Sequence, residues 1–311
     1  ADSISNAPVS LKPHVVRTIR DIFRTSSYSK KINFLKRLSW DDFKLRPVNL
    51  HDALTGYSLG DISEQMTQNF ALSREQLDQY TARSHLLAQQ AWQQGVMNEQ
   101  VMLSYPAPYN HYITQDNMIS ERTDAEYYQH FKPLQSGRYK TVSPWSVSEP
   151  ADGAAAVLLM REGLAKQYEL QPLGYIRSFA ITGNDVWNNM LLGATYAAAK
   201  ALNWAKMELS DIDLIDMHES SAAQILSNLS LFESKAFAQK QLQRDQALGA
   251  VDMDKFNVAG GSLAYGSPRA ITSLRVLIQT LHQLQRQNGT TALIASSGLG
   301  GLGAAMVLER E

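Results

Sequence analysis

Three short segments of the chain carry residue types that can do chemistry. His218-Glu219-Ser220-Ser221 follows an apolar run at 212–217 and precedes a helical apolar pattern at 222–231, so an imidazole and a carboxylate stand at the carboxyl end of a short buried strand. Gly266-Ser267-Pro268 closes a glycine-rich loop at 257–268 that runs into a helical segment at 269–285. Ser297-Gly298-Leu299-Gly300-Gly301 turns between apolar runs at 291–295 and 304–308, and the backbone N–H groups of Leu299 and Gly300 at that turn suit an anion. An imidazole moves protons near neutral pH, a serine hydroxyl only donates and accepts hydrogen bonds, and turn N–H groups stabilise an oxyanion. The residues alone leave plainer readings open: a hairpin whose glycines only permit close packing, and a histidine that is only a hydrogen-bonded core residue.

These segments need elements to hold them. From about 172 onward the pattern is strand (175–181), helix (194–205), strand (212–217), helix, loop, helix and a terminal strand hairpin, the alternation of an α/β layered domain. Ligands collect where strand gives way to helix in such sheets. Residues 1–171 form the other part. Residues 58–95 read as helical, with a capping box at Ser73 to Gln76, one face made by Leu77, Tyr80, Ser84, Leu87, Ala88 and Ala91, and a stop at Gly95. Residues 105–148 form a long irregular excursion of the kind that covers sites, and 154–160 read as a buried strand.

Composition narrows the class. With 311 residues, 44% hydrophobic content and a formal net charge of −1, the chain is globular and gives no basis for a nucleic-acid surface. No apolar run reaches the roughly 20 residues of a membrane span, and the first residues lack the features of a signal peptide, so a cytoplasmic location is expected. Absence of cysteine excludes disulfides and thiolate metal sites within these residues, and the seven histidines lack metal-site spacing, so no metal is expected. One asymmetry stands out: ten Lys and Arg against three Asp at 12–46, interleaved with apolar residues as two basic amphipathic helices. Such a hairpin suits anionic lipid, a partner subunit or a phosphate-bearing ligand, or is simply a solvated cover over the core.

At these residues the chain resembles the thiolase superfamily, and within it the long-chain 3-ketoacyl-CoA thiolases that form the beta subunit of fatty-acid oxidation complexes. Ser73 to Tyr80 with Arg83-Ser84-His85 is similar to the family's loop-domain helix, Thr141-Val142-Ser143 with Asp152-Gly153-Ala154 to its Thr-Val-Thr and Asp-Gly-Ala motifs, and Leu192 to Ala197 to its Gly-Pro-Thr helix start. The resemblance implies a layered αβαβα fold of two similar halves with a loop domain that grips coenzyme A. Of these the chain carries the loop domain (1–171, with a remnant of the first half) and the C-terminal half (172–311); Ala1 to Pro8 resembles the segment just after the nucleophile strand, so the nucleophile is expected upstream. It further implies cleavage of 3-oxoacyl-CoA by coenzyme A as a substrate, no permanently bound cofactor, a homodimer, a hydratase/dehydrogenase partner, and coenzyme A contacts from Ser143, Ser146 and Ser148.

The sequence departs from the family at informative positions. Gly-His-Pro is replaced by Gly266-Ser267-Pro268, the second cysteine by Ser297, and His-Glu-Ala-Phe by His218-Glu219-Ser220-Ser221. The family's cysteine moves the substrate α-proton and its Gly-His-Pro histidine activates the nucleophile; neither serine titrates in the useful range. Ser267 can still donate a hydrogen bond, His218 can act as base through a water, Glu219 can orient, and Leu299 and Gly300 can still form an oxyanion pocket. Trp145 stands where the family lines the coenzyme A groove with small residues.

Overall fold

The computed structural model describes residues 13–25, 27–36, 38–39, 51–52, 54–106, 108–137 and 140–310. Its centre is a four-stranded mixed sheet built from β1 (Tyr175–Gly183), β2 (Leu214–Met217), β3 (Thr291–Gly298) and β4 (Leu302–Glu309), in the order β1-β4-β3-β2. The glycine turn at 298–301 makes β3 and β4 an antiparallel hairpin, β1 adds antiparallel to β4, and β2 lies parallel to β3 with Met217 opposite Ala295. Gly300 and Gly301 hold φ of +79° and +69°, a left-handed turn that a β-carbon strains.

Eleven α-helices are described. Those before the sheet are α1 (Pro13–Arg24), α2 (Tyr28–Leu35), α3 (Leu59–Asn69), α4 (Arg74–Gln93), α5 (Ala125–Gln129) and α6 (Glu162–Gln167). Within the α/β part follow α7 (Gly193–Ala205), α8 (Ala222–Phe232), α9 (Lys235–Phe237), α10 (Ser262–Tyr265) and α11 (Thr272–Arg286). Helix α7 lies on β1, β4 and β3, and α11 on β3 and β2, so the described residues form an αβα sandwich, with α3 and α4 packed alongside against α8 and α10. Among the described residues no helix is long and apolar enough to cross a membrane.

Local chemistry accounts for the helix limits. The Ser73 hydroxyl accepts from Gln76 N–H while Gln76 returns an acceptor to Ser73 N–H, the capping box expected there, and Gly95 at φ +71° ends the helical stretch. Helix α7 approaches the hairpin so closely that a methyl at Gly193 or Gly303 would overlap the other's backbone. Its alanine-rich face, Ala194, Ala197, Ala198 and Ala201, is fully buried against the sheet.

Two expectations fail. The run at 154–160 forms no strand, and Leu158 and Leu159 are 78% and 69% exposed, because no strand among the described residues offers it a ladder partner. The apolar run at 175–181 also reads as a buried strand, but β1 is an edge strand with one buried face, and Phe179 and Ile181 are exposed. The basic segment does form helices α1 and α2, with Val15 buried and Phe23, Tyr28 and Leu35 exposed, while 40–50 and 1–8 lie outside the described residues.

Candidate active site

His218 leaves the end of β2, and its backbone N–H donates to Ala295 O of β3 at 2.9 Å, which sets the imidazole beside the strand that carries Ser296 and Ser297. Its Nδ1 lies 2.9 Å from the Ser262 hydroxyl, and the same hydroxyl accepts from Arg275 Nη2 at 3.0 Å. Ser262 is fully buried, and among the described residues its Oγ has no third hydrogen bond. Because the guanidinium only donates, the hydroxyl hydrogen is satisfied only if it points to Nδ1; the neutral ring then carries its proton on Nε2. Burial, reinforced by the Arg275 charge, pushes the His218 pKa down to about 3. The ring is thus uncharged at neutral pH, with Nδ1 engaged by Ser262.

Glu219 turns the opposite way. Its carboxylate is fully buried and accepts from Tyr80 Oη at 2.8 Å, Ser84 Oγ at 2.7 Å, Asn257 Nδ2 at 2.9 Å and Leu263 N at 3.1 Å. It joins α4 to the 257–263 loop and so fixes the backbone that presents Ser262. A methyl at Gly261 would overlap the carboxylate carbon, so glycine is required by close approach. Among the described hydrogen bonds, the link from the Glu219 carboxylate to the His218 ring runs through that loop.

The first turn of α11 is the common wall. Thr272 Oγ1 is 3.3 Å from Ser267 Oγ, Ser273 Oγ is 3.3 Å from Ser296 Oγ, and Arg275 reaches Ser262. Ser267 is also held by its backbone, its N–H donating to Glu149 O at 2.8 Å. Ser297 is buried on β3, and its hydroxyl accepts from Ala194 N–H at 2.9 Å at the start of α7, the bond of a helix cap. Gly300 N–H faces the Asp52 carboxylate and, after the Thr55 and Leu54 donors, helps to hold it below the usual carboxylate range; Leu299 is the remaining backbone donor of the expected pair.

Ser143, Ser146 and Ser148 are buried on the strap beside the site. Ser146 Oγ is 3.0 Å from both the N and the O of Ser143 within one tight turn, and Ser148 N–H donates to Ser220 O at 3.0 Å. Between them, Trp145 is held in an aromatic cluster with His85, Tyr127, Tyr128 and Phe131. Sequence reasoning did not single out Ser262, Arg275 or Asn257: Ser262 and Asn257 lie in the glycine-rich loop, and Arg275 lies unremarked within the helical segment at 269–285.

The comparisons with known proteins agree with this architecture. Residues 24–163 match the family model "Thiolase, N-terminal domain" and residues 170–310 match "Thiolase, C-terminal domain". The 3-ketoacyl-CoA thiolase of Serratia proteamaculans is 43% identical over 311 residues, all of this chain and 71% of that protein, and that of Aeromonas salmonicida is 45% identical with the same coverage. The crystal structure of the Bacillus anthracis acetyl-CoA acetyltransferase superposes with a TM-score of 0.80 at 25% identity, covering 99% of this chain and 70% of that one. Human mitochondrial 3-ketoacyl-CoA thiolase superposes with a TM-score of 0.73 at 25% identity over 84% of this chain and 61% of that one. With family models matching both its parts and relatives this similar along its whole length, the chain belongs to the thiolase family.

Proposed function

We propose that the protein is a thiolase-type acyltransferase that cleaves 3-oxoacyl-CoA with coenzyme A to acyl-CoA and acetyl-CoA, the chemistry of fatty-acid beta-oxidation. The observation that carries the reading is the His218 donor. A neutral Nε2–H, fixed by Ser262 and Arg275 at the end of β2, suits a thioester oxygen on which negative charge grows. Leu299 N–H at the glycine turn is a second donor of the same kind, and Ser267 supplies a hydrogen bond without titrating.

Proton transfer is the weak step. Ser267 and Ser297 stand where the family places its titrating groups, and Ser297 Oγ is already engaged by Ala194 N–H. Loss of general acid–base catalysis costs about 10²–10⁴-fold in rate. These 311 residues contain no cysteine, so they furnish no acyl-accepting thiolate.

The strap with Ser143, Ser146 and Ser148 adjoins Ser220 and is our candidate coenzyme A contact. We place the protein in the cytoplasm as a homodimer. The basic helices α1 and α2, whose Phe23 and Tyr28 are exposed, form the face for a hydratase/dehydrogenase subunit or an anionic membrane surface.

The test is coenzyme A-dependent thiolysis of short- and long-chain 3-oxoacyl-CoA by the full-length protein, beside His218→Ala and the double variant Ser267→His/Ser297→Cys. Turnover that falls at least tenfold in His218→Ala and rises in the double variant is expected. Acyl-CoA binding with no turnover in any of the three would instead make the protein a thiolase-fold subunit that binds without converting.

A further inference from the structure

The turn between β3 and β4 stands at the same end of the sheet as His218. Strands β2 and β3 run parallel with Met217 opposite Ala295, so His218 leaves one strand and Leu299 the other on the same side. Glycine amides in a left-handed turn have many orientations open to them, and neighbours must choose one. Asn184 N–H donates to Gly301 O at 2.8 Å, and a methyl at Gly301 would overlap Asn184 O. The second hold comes from the segment before α3.

That hold is Asp52, whose two carboxylate oxygens are engaged separately. Oδ1 accepts from Leu54 N–H at 3.1 Å, Thr55 N–H at 2.8 Å and Thr55 Oγ1 at 2.9 Å, which closes a tight hairpin where Asp52 N–H donates to Tyr57 O at 2.8 Å. Oδ2 faces Gly300, 3.9 Å from where a β-carbon at that residue would sit, and Gly300 N–H donates to the carboxylate. The hairpin uses Oδ1; Oδ2 is left for the turn. Asp52 is only 4% exposed, so water competes little for this charged acceptor, and a charge-assisted bond is roughly twice as strong as a neutral one. A peptide unit is planar, so a fixed Gly300 N–H also fixes the Leu299 carbonyl and restricts the adjoining plane that carries Leu299 N–H.

We propose that Asp52 is a positioning residue for the reaction: through Oδ2 it holds the Gly300 amide and so aims Leu299 N–H at the thioester oxygen. Gly300 N–H, engaged by Asp52, is thereby withdrawn from the oxyanion pair. The inference rests on the acyltransferase reading above.

Asp52→Asn separates the two engagements. With its amide oxygen kept at Oδ1 by three donors, the asparagine turns an NH2 toward Gly300 N–H, donor against donor, so the hairpin is retained and the hold on the turn is lost. Asp52→Ala loses both. Hydrogen–deuterium exchange and acetoacetyl-CoA thiolysis by the full-length protein and both variants test the proposal. In Asp52→Asn, exchange at 298–303 is expected to rise about tenfold or more with 54–58 unchanged, and kcat to fall about 10- to 100-fold with KM within about twofold. A hairpin role alone would leave Asp52→Asn like the unmodified protein and only Asp52→Ala impaired, which overturns the proposal. Faster exchange at the turn with kcat unchanged, or a rise in KM alone, overturns it too. No turnover by the unmodified protein overturns the acyltransferase reading instead; exchange at 298–303 then decides whether Asp52 holds the turn, faster exchange in Asp52→Asn upholding it and unchanged exchange overturning it. Should the asparagine variant not fold, the Gly300 amide proton shift of the 15N-glycine-labelled unmodified protein decides: it should move as Asp52 takes up its proton on acidification, and a flat response overturns the proposal.

Discussion

Glu219, fully buried just after β2, and Arg269, half-buried just before α11, are charged groups satisfied in opposite ways. Glu219 has four donors from α4, the 257–263 loop and the backbone, while among the described residues Nε and Nη2 of Arg269 have no partner. A completed buried network is scaffold: its removal destabilises the fold. An incomplete one lowers stability. His218 sits between these extremes, with Nδ1 tied to Ser262 and its other ring nitrogen left to the site.

The sharpest way to break the comparison is Glu219→Ala. Four donors lose their acceptor at once, and a destabilisation of about 4 kcal/mol or more is expected in urea unfolding; a loss under about 1 kcal/mol would show that the hub is not scaffold. Acidification comes next. The pKa values of His85 (about 4) and His218 (about 3) are depressed chiefly by burial, so the unfolded chain binds more protons than the folded one below about pH 6.5 and stability falls as pH drops. Asp216, raised to about 6 by burial, acts with the opposite sign: the folded state gains stability as Asp216 takes up its proton below that pH. From pH 7 to 5 each histidine removes about 2 kcal/mol and Asp216 returns about 1 kcal/mol. Asp216→Asn should therefore steepen the acid loss, read as the urea midpoint at the two pH values.

Ser297→Ala tests a smaller effect. If its hydroxyl mainly caps α7, melting should show a loss of about 1 kcal/mol. Ser262→Ala is expected to change stability less still, yet nitrogen chemical shifts should show His218 moving from a single Nε2–H tautomer to a mixture of both. An unchanged tautomer would remove the donor role assigned to His218.

Much of this was legible in the sequence for simple reasons. The strand hairpin follows from two apolar runs flanking a glycine turn, α4 from a capping box and a 3.6-residue apolar period, and α7 and α8 from alanine and leucine patterns too long to be strands. The motif residues His218, Glu219, Ser267 and Ser297 were also visible, since unusual residues at strand–helix junctions stand out. What was not legible was direction. Adjacent residues at a strand's end leave it on opposite sides, and nothing in the pair His218-Glu219 states which side is core.

Sequence alone determined most of the element types, their order and the family, because these depend on periodicity, turn residues and motif spacing along the chain. Tertiary structure alone decided the chemistry. Ser262 lies 44 residues from His218, Ser84 135 residues from Glu219 and Ala194 103 residues from Ser297, and hydrogen bonds across those separations set a tautomer, a scaffold carboxylate and a helix cap. The run at 154–160 makes the same point in reverse: its apolar pattern is that of a strand, but a strand exists only where a neighbouring strand takes its hydrogen bonds.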